Sequence, residues 1–280
     1  GYARFTSSGD LSKLSSDLTG ASQQDSATDI GGSDTIATGS GNDVAFGGFA
    51  ADYINISSDS SHLAIADSGN DILVGDNATA WFNMELLPAN AGPEDRITTI
   101  ATSDGAGDWI HSDLGKDIVI GGQGGDTITT GSGDNQDADQ LGDIVMGDMG
   151  EAFFSTSGNG RIDNLKLIQA QSLDTSNSVG GADTITTGKG RDVVLGGNAG
   201  DTINTHAGDD VVLGDSGRAT FNPVNNQLTD ILTIDPTQGA RDTIYTHAGN
   251  DTVLGGAGGD LIDTADDDDI VLGDNGEARF

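Results

Sequence analysis

The sequence contains no cysteine, only 4 prolines in 280 residues, and aromatic side chains at 5% of positions. With no cysteine, a disulfide framework is excluded. Basic residues are also scarce. Eleven Lys and Arg face 45 Asp and Glu, a formal charge of −34. A nucleic-acid surface needs clustered Lys and Arg, and an anionic bilayer repels a chain this acidic, so neither is an expected partner. No run reaches the ~18 apolar residues of a spanning helix, so no membrane insertion is expected. Apolar residues total 34%, below the ~45–50% of ordinary soluble domains. Such a composition is also that of disordered acidic chains. It folds only if something neutralises the acid and replaces the missing core. Glycine is plentiful at 44 positions, but without the three-residue period of collagen.

Internal order separates this chain from a disordered one. Ala80-Trp81-Phe82, Ala152-Phe153-Phe154, Ala219-Thr220-Phe221 and Ala278-Arg279-Phe280 each follow a Gly-Asp turn. Cutting after each Phe divides the chain into a tail of a preceding unit (1–5) and four units: 6–82, 83–154, 155–221 and 222–280. The chain is therefore expected to begin mid-unit, as a fragment of a longer array. Within the units, aspartates recur every nine residues: Asp183, Asp192, Asp201 and Asp210, then Asp242, Asp251, Asp260 and Asp269. Asp108, Asp117 and Asp126 keep the period before a longer gap to Asp143. Asp34, Asp43 and Asp52 do so before a longer gap to Asp71. Both gaps read as insertions in one equivalent loop.

A short β-type run follows each Asp, such as Thr184-Ile185-Thr186 or Val193-Val194-Leu195. A glycine turn precedes it, as in Gly121-Gly122-Gln123-Gly124-Gly125 before Asp126 and Gly255-Gly256-Ala257-Gly258-Gly259 before Asp260. Glycine reaches positive φ without steric cost. A turn and a three-residue strand every nine residues predict a coil whose strands stack in parallel, ~4.8 Å apart. These turns resemble the nonapeptide of the repeats-in-toxin (RTX, haemolysin-type) family, Gly-Gly-x-Gly-x-Asp-x-U-x with U apolar. The resemblance covers 31–82, 108–154, 180–221 and 239–280. It implies an all-β parallel β-roll with two nonapeptides per coil, and Ca2+ between equivalent turns of successive coils.

The chemistry of the residues agrees. Ca2+ takes six to eight hard oxygen ligands. Glycine turns expose carbonyls, and the sixteen rung aspartates add carboxylates; Gly121, Gly124, Gly255 and Gly258 belong to the two turns that match in full. Stacking pairs Asp183 with Asp201, Asp192 with Asp210, Asp242 with Asp260 and Asp251 with Asp269. Eight coils have seven junctions on each of two edges, so the geometry offers at most ~14 shared sites. Filling them all would leave a charge of about −6. Some turns depart from the pattern. Thr246-His247-Ala248-Gly249-Asn250-Asp251 lacks both leading glycines, and Ser112-Asp113-Leu114-Gly115-Lys116-Asp117 adds a Lys. Such turns are either empty or filled by a side-chain cation. Asp76, Asp148, Asp215 and Asp274 occupy the second-glycine column, as extra ligands or as turn formers.

Strand side chains alternate in and out. The central residues Ile185, Val194, Ile203 and Val212 point inward. On first and third rungs the flanking residues are mostly polar (Thr184, Thr186, Thr202, Asn204). On second and fourth rungs they are apolar (Val193, Leu195, Val211, Leu213, Ile118, Ile120). An exposed apolar face of that size needs a cover. The segments between units are expected to supply it as β-hairpins anchored by Phe5, Phe82, Phe154 or Phe221; a partner chain is the alternative.

Catalytic patterns are weak. Gly214-Asp215-Ser216-Gly217 resembles a serine nucleophile turn, but Asn77, Met149 and Asn275 stand where Ser216 does in the other units. No His-x-x-x-His zinc pair occurs. Asp134, Asp137 and Asp139 crowd one insertion without the EF-hand glycine. The favoured reading is a non-enzymatic, calcium-stabilised segment of a large secreted or cell-surface repeat protein: an adhesin stalk, filament or matrix component, exported by type I secretion. Its partners would be calcium ions, neighbouring repeats, and a homo-oligomer or fibre. The alternative is a ligand face, ice-binding or carbohydrate-binding, along Thr35, Thr127, Thr129, Thr184, Thr186, Thr202 and Thr243. A third class, the secretion domain of a protease or lipase, fits the long compound unit less well.

Overall fold

A computed structural model describes residues 2–5, 11–15, 31–82, 95–100, 105–131, 142–155, 166–173 and 180–280. The architecture is all-β, and the described residues contain no helix. Two eight-stranded parallel sheets face each other, and a nine-stranded antiparallel sheet lies over one of them.

The first parallel sheet carries the first and third rungs of each unit: Thr35–Ile36, Tyr53–Ile54, Trp109–Ser112, Thr127–Thr130, Thr184–Thr187, Thr202–Asn204, Thr243–Tyr245 and Leu261–Asp263. The second carries the alternate rungs: Val44–Phe46, Ile72–Val74, Ile118–Gly122, Ile144–Asp148, Val193–Gly197, Val211–Asp215, Thr252–Leu254 and Ile270–Leu272. Register is strict. Thr184, Ile185 and Thr186 face Thr202, Ile203 and Asn204, while Val193, Val194 and Leu195 face Val211, Val212 and Leu213. The chain alternates between the sheets and therefore coils, two rungs to the coil.

Rungs this short place one central side chain each between the sheets. Ile54, Leu73, Ile110, Val119, Ile128, Val145, Ile185, Val194, Ile203, Val212, Ile244 and Val253 form that column, all fully enclosed. A core one residue wide per rung explains how a chain 34% apolar can fold.

The second core lies outside the roll. The apolar outer residues of the second parallel sheet meet the antiparallel sheet, in which Ala78–Trp81 pairs with Asp95–Thr99, Gly150–Ser155 with Lys166–Ser172, and Gly217–Phe221 with Leu228–Thr233. Phe82, Ile97, Phe154, Leu167, Phe221 and Ile231 come down onto Ile120, Met146, Leu195 and Leu213. Leu195 is 1% exposed and Leu213 0%, so the expected hairpin cover is present. Phe82, Phe154 and Phe221 are buried in it as anchors. Tyr2–Phe5 extends the same sheet through Leu11–Ser15, but the Phe5 side chain lies outside the described residues.

Candidate metal sites

The coil has two edges. On one, the chain passes from the apolar sheet to the polar one through 47–52, 75–108, 121–126, 147–183, 196–201, 214–242 and 255–260. The covering hairpins leave and return here, so it is called the hairpin edge. The other, the plain edge, carries the turns 38–43, 56–71, 112–117, 130–143, 187–192, 205–210, 246–251 and 264–269.

All sixteen rung aspartates fall into two columns, one per edge. On the hairpin edge each Asp amide donates to Oδ1 of the Asp in the next coil. The ladder runs Asp34, Asp52, Asp108, Asp126, Asp183, Asp201, Asp242, Asp260, with distances of 2.7–3.0 Å. On the plain edge the same bond links Asp43, Asp71, Asp117, Asp143, Asp192, Asp210, Asp251 and Asp269 at 2.8–3.0 Å. The four same-side pairs read from the nonapeptide spacing all stack in this way. Every rung Asp but the first of each column therefore spends Oδ1 on an amide. Nothing in the nonapeptide spacing signals that one carboxylate oxygen is consumed by an amide.

On the hairpin edge the other oxygen is enclosed and unsatisfied. Oδ2 of Asp52, Asp108, Asp126, Asp183, Asp201, Asp242 and Asp260 has no hydrogen-bond partner. A buried carboxylate oxygen left alone is costly. Its surroundings are other oxygens. A Cβ placed on Gly121 would lie 2.2 Å from Asp126 Oδ2 and 2.3 Å from the Gly147 carbonyl oxygen. One on Gly196 would lie 2.5 Å from Asp201 Oδ2 and 2.2 Å from the Gly214 carbonyl, and one on Gly255 2.6 Å and 2.5 Å from Asp260 Oδ2 and the Gly273 carbonyl. Gly47, Gly75, Gly147 and Gly214 repeat the arrangement. Any side chain at these positions would strike both oxygens, so each such glycine lets a carboxylate and a carbonyl of the next coil draw together, the kind of hard-oxygen pair that Ca2+ takes as ligands. Among the described residues no three His, Asp or Glu side chains converge on one point, so a cation held here would depend on backbone carbonyls.

Electrostatics mark the same places. Burial pushes the carboxyl of Asp52 up to about 6, those of Asp108 and Asp242 to about 8, and that of Asp183 to about 9, with neighbouring carboxylates adding to each rise. Asp126 and Asp201 are raised well above the ordinary range for the same reasons.

Gly124 and Gly258 contribute by conformation, not as cage walls. Both take positive φ, +102° and +130°, where the turn lies against the backbone of the preceding coil at Ala106 and Ala240. Three of the second-glycine aspartates, Asp76, Asp148 and Asp215, are amide caps. Asp76 Oδ2 accepts the Gln123 amide at 2.5 Å, Asp148 accepts those of Asn198 and Gly181, and Asp215 accepts that of Ala257. Each cap ties the next coil to a turn that carries a hairpin. Asp134, Asp137 and Asp139 lie outside the described residues.

On the plain edge Oδ2 of Asp43, Asp143 and Asp251 is likewise enclosed without a hydrogen-bond partner, whereas hydroxyls reach it elsewhere. The Thr187 and Thr205 hydroxyls donate to Oδ2 of Asp192 and Asp210, the latter at 2.6 Å. Near the first coils, Thr38, Asn55 and Asp67 form a knot: Thr38 Oγ1 reaches Asp67 Oδ2 at 2.9 Å and Asn55 Nδ2 reaches the same oxygen at 2.5 Å. Burial raises the carboxyls of Asp71 and Asp210 to about 8, and those of Asp43, Asp143 and Asp251 also rise.

A family model described as RTX calcium-binding nonapeptide repeat (4 copies) matches residues 30–59, 102–137, 177–212, 192–220, 239–262 and 245–277, together just over half of the chain. Searches of curated proteins and of solved structures returned no significant match.

Proposed function

The chain belongs to the RTX calcium-binding nonapeptide repeat family, repeats that bind Ca2+, and from that premise we propose that it is a calcium-stabilised structural segment of a large secreted or cell-surface repeat protein. The observation that carries the reading is the row of enclosed, unpartnered Oδ2 atoms facing glycine carbonyls. Asp52, Asp108, Asp126, Asp183, Asp201, Asp242 and Asp260 would hold the ions with Gly47, Gly75, Gly121, Gly147, Gly196, Gly214, Gly255 and Gly273 beside them. Bound calcium supplies charge neutralisation and a cross-link between successive coils. The chain's own residues supply the enclosure, the amide ladder that fixes each carboxylate, and the covered apolar face.

Ions bound only by the folded state stabilise it by RT ln(1 + [L]/Kd) per independent site. A chain whose carboxylates are this crowded stays unfolded where calcium is scarce and folds where it is millimolar, which suits an extracellular load-bearing role. The ligand-face alternative receives less support. The outer face of the polar sheet is broken by Tyr53 and Trp109, whose rings stack 5.1 Å apart with the His62 ring tilted against both. Calcium titration followed by far-UV circular dichroism tests the main reading. β-structure should appear with calcium and vanish in chelator; a chain fully β-rich in chelator overturns it.

A further inference from the structure

Basic residues are scarce in this chain, and the fold gathers them. The nine strands of the covering antiparallel sheet hold six of the eleven: Arg4, Lys13, Arg96, Lys166, Arg218 and Arg279. Against them stand four acidic residues, Asp95, Glu151, Asp230 and Glu277, so the sheet is net +2 within a chain of −34. One face of the sheet is core, where Ala80, Ile97, Ala152, Ala170, Ala219 and Ile231 are buried. The other face is half-exposed, and one transverse row crosses it in register. Trp81, Arg96, Phe153, Gln169 and Thr220 supply that row, one from each of five adjacent strands. The backbone register continues it to Lys13 and Arg4 on one side, and to Asp230 and Arg279 on the other.

We propose that this row docks an acidic polysaccharide, an extended sugar polymer carrying carboxylate or sulfate groups. The centre of the row is Arg96. Its guanidinium lies over the Trp81 ring, 4.3 Å from the centroid. A guanidinium held on an aromatic face keeps its N–H edge free for a planar or tetrahedral oxyanion. Among the described residues Arg96 makes no ion pair, whereas the cations at the far side of the sheet are already matched. Arg218 stands 3.7 Å and Arg279 3.6 Å from the Asp230 carboxylate, and Arg279 also meets Glu277. The aromatic residues of the row serve no core. Phe82 and Phe154 are the buried anchors, and Trp81 and Phe153, their neighbours in sequence, point the other way onto the half-exposed face. Beyond Phe153, the Gln169 amide and the Thr220 hydroxyl offer donors and acceptors suited to sugar hydroxyls.

Shape and charge spacing choose among polyanions. Five strands at ~4.8 Å make the row ~19 Å long and one residue wide, the form of a linear polymer and not of a plane. An anionic bilayer would press on the whole sheet and meet Glu151, Asp230 and Glu277 as well. Lys13 and Arg96 lie two strands apart, ~9.6 Å, far sparser than the one charge per ~1.7 Å of a nucleic-acid duplex. A sugar polymer with an acid group on some of its rings matches that spacing. The acid of the roll does not forbid the contact. The rung aspartates lie along the two edges of the roll and not on this sheet, and charges beyond ~8 Å are largely screened at physiological ionic strength. The proposal stands on the covering sheet alone and is independent of which ion the edges hold.

The test is a fluorescence titration of the full chain in saturating calcium, with folding confirmed by circular dichroism. The chain has two tryptophans, so a Trp109→Phe background leaves Trp81 as the reporter. Dextran sulfate is the probe and uncharged dextran the control. A saturable change is expected with dextran sulfate, weakening as salt rises, and none with dextran. Arg96→Gln should weaken binding about tenfold or more, and Arg279→Gln, whose guanidinium is already paired, should stay within about twofold. No response to dextran sulfate, an equal response to dextran, or an Arg96→Gln chain that binds as its parent does overturns the proposal. So does single-stranded DNA or a phosphatidylserine vesicle bound as tightly as dextran sulfate. Self-association in sedimentation that Arg96→Gln abolishes, without any response to the polymer, would assign the face to a second copy instead. If Arg96→Gln does not fold, Gln169→Glu, which sets a negative charge in the row, takes its place and should weaken binding likewise.

Discussion

Each rung aspartate has two oxygens with different employments, and that division gives the first predictions. Oδ1 belongs to the amide ladder on both edges, so an Asn substitution keeps that acceptor and removes only the charge. Ala removes both. Asp148→Ala tests the capping role instead. Its carboxylate accepts the amides of Asn198 and Gly181, and both would be stranded. A loss of about 1–3 kcal/mol in calcium-saturated denaturant unfolding is expected; an unchanged midpoint would show that the caps are idle. Gly196→Ala puts a Cβ 2.2 Å from the Gly214 carbonyl, a backbone atom that cannot swing aside. That variant should need more calcium to fold than wild type, read as a shifted midpoint in a calcium titration.

At the scale of elements, the antiparallel sheet matters more than its position outside the roll suggests. It converts the apolar face of the second parallel sheet into a core. Phe154 is 1% exposed and Leu213 0%. Phe154→Ala should cost about 3–5 kcal/mol and Leu213→Ala about 2–5 kcal/mol, as large-to-small changes in packed interiors do. Thr202, on the exposed face of the polar sheet, should tolerate Ala within about 0.5 kcal/mol. Urea unfolding in saturating calcium orders the three; Thr202 as the costliest would place the core on the wrong face. How the cover arises was only partly legible. The Gly-Asp turn followed by Ala-x-Phe marks a strand and its Phe anchor. That Lys166–Ser172 also pairs with Gly217–Phe221, making the hairpins one continuous sheet, follows from the two-coil spacing between them and not from any local signal.

For the whole molecule the governing quantity is charge. Folding without metal would bury a column of carboxylates, and the raised pKa values state the penalty. Asp108 and Asp242 sit near 8 and Asp183 near 9 when folded, against 3.8 when unfolded. Groups whose folded pKa is raised favour the folded state fully below about pH 4, and that contribution is lost as pH climbs through 8 to 9. In chelator, β-structure should therefore be greater at about pH 5 than at about pH 9, by far-UV circular dichroism. With calcium the trend inverts, because the ion competes with protons for the same oxygens, and adding calcium near pH 7 should release protons. β-structure that rises with pH in chelator would contradict the first half.

The sequence by itself determined the coil. Its nine-residue aspartate period, the single apolar residue two places on, and the glycine turns leave a short-runged parallel roll as the compact solution, and they pair the aspartates that stack. It also held, unread in the spacing argument, a column of glycines, one opening each hairpin-edge turn. What only the tertiary structure decided is what that column means. A glycine in a turn reads equally as a positive-φ requirement or as room for the close approach of another group. Stacking decides between them, because the oxygens that surround the missing Cβ of Gly121 come from Asp126, five residues along, and from Gly147, a full coil away. No local rule brings those atoms together. The coil repeat does, and along the hairpin edge it sets a row of carboxylate oxygens beside carbonyls of the next coil.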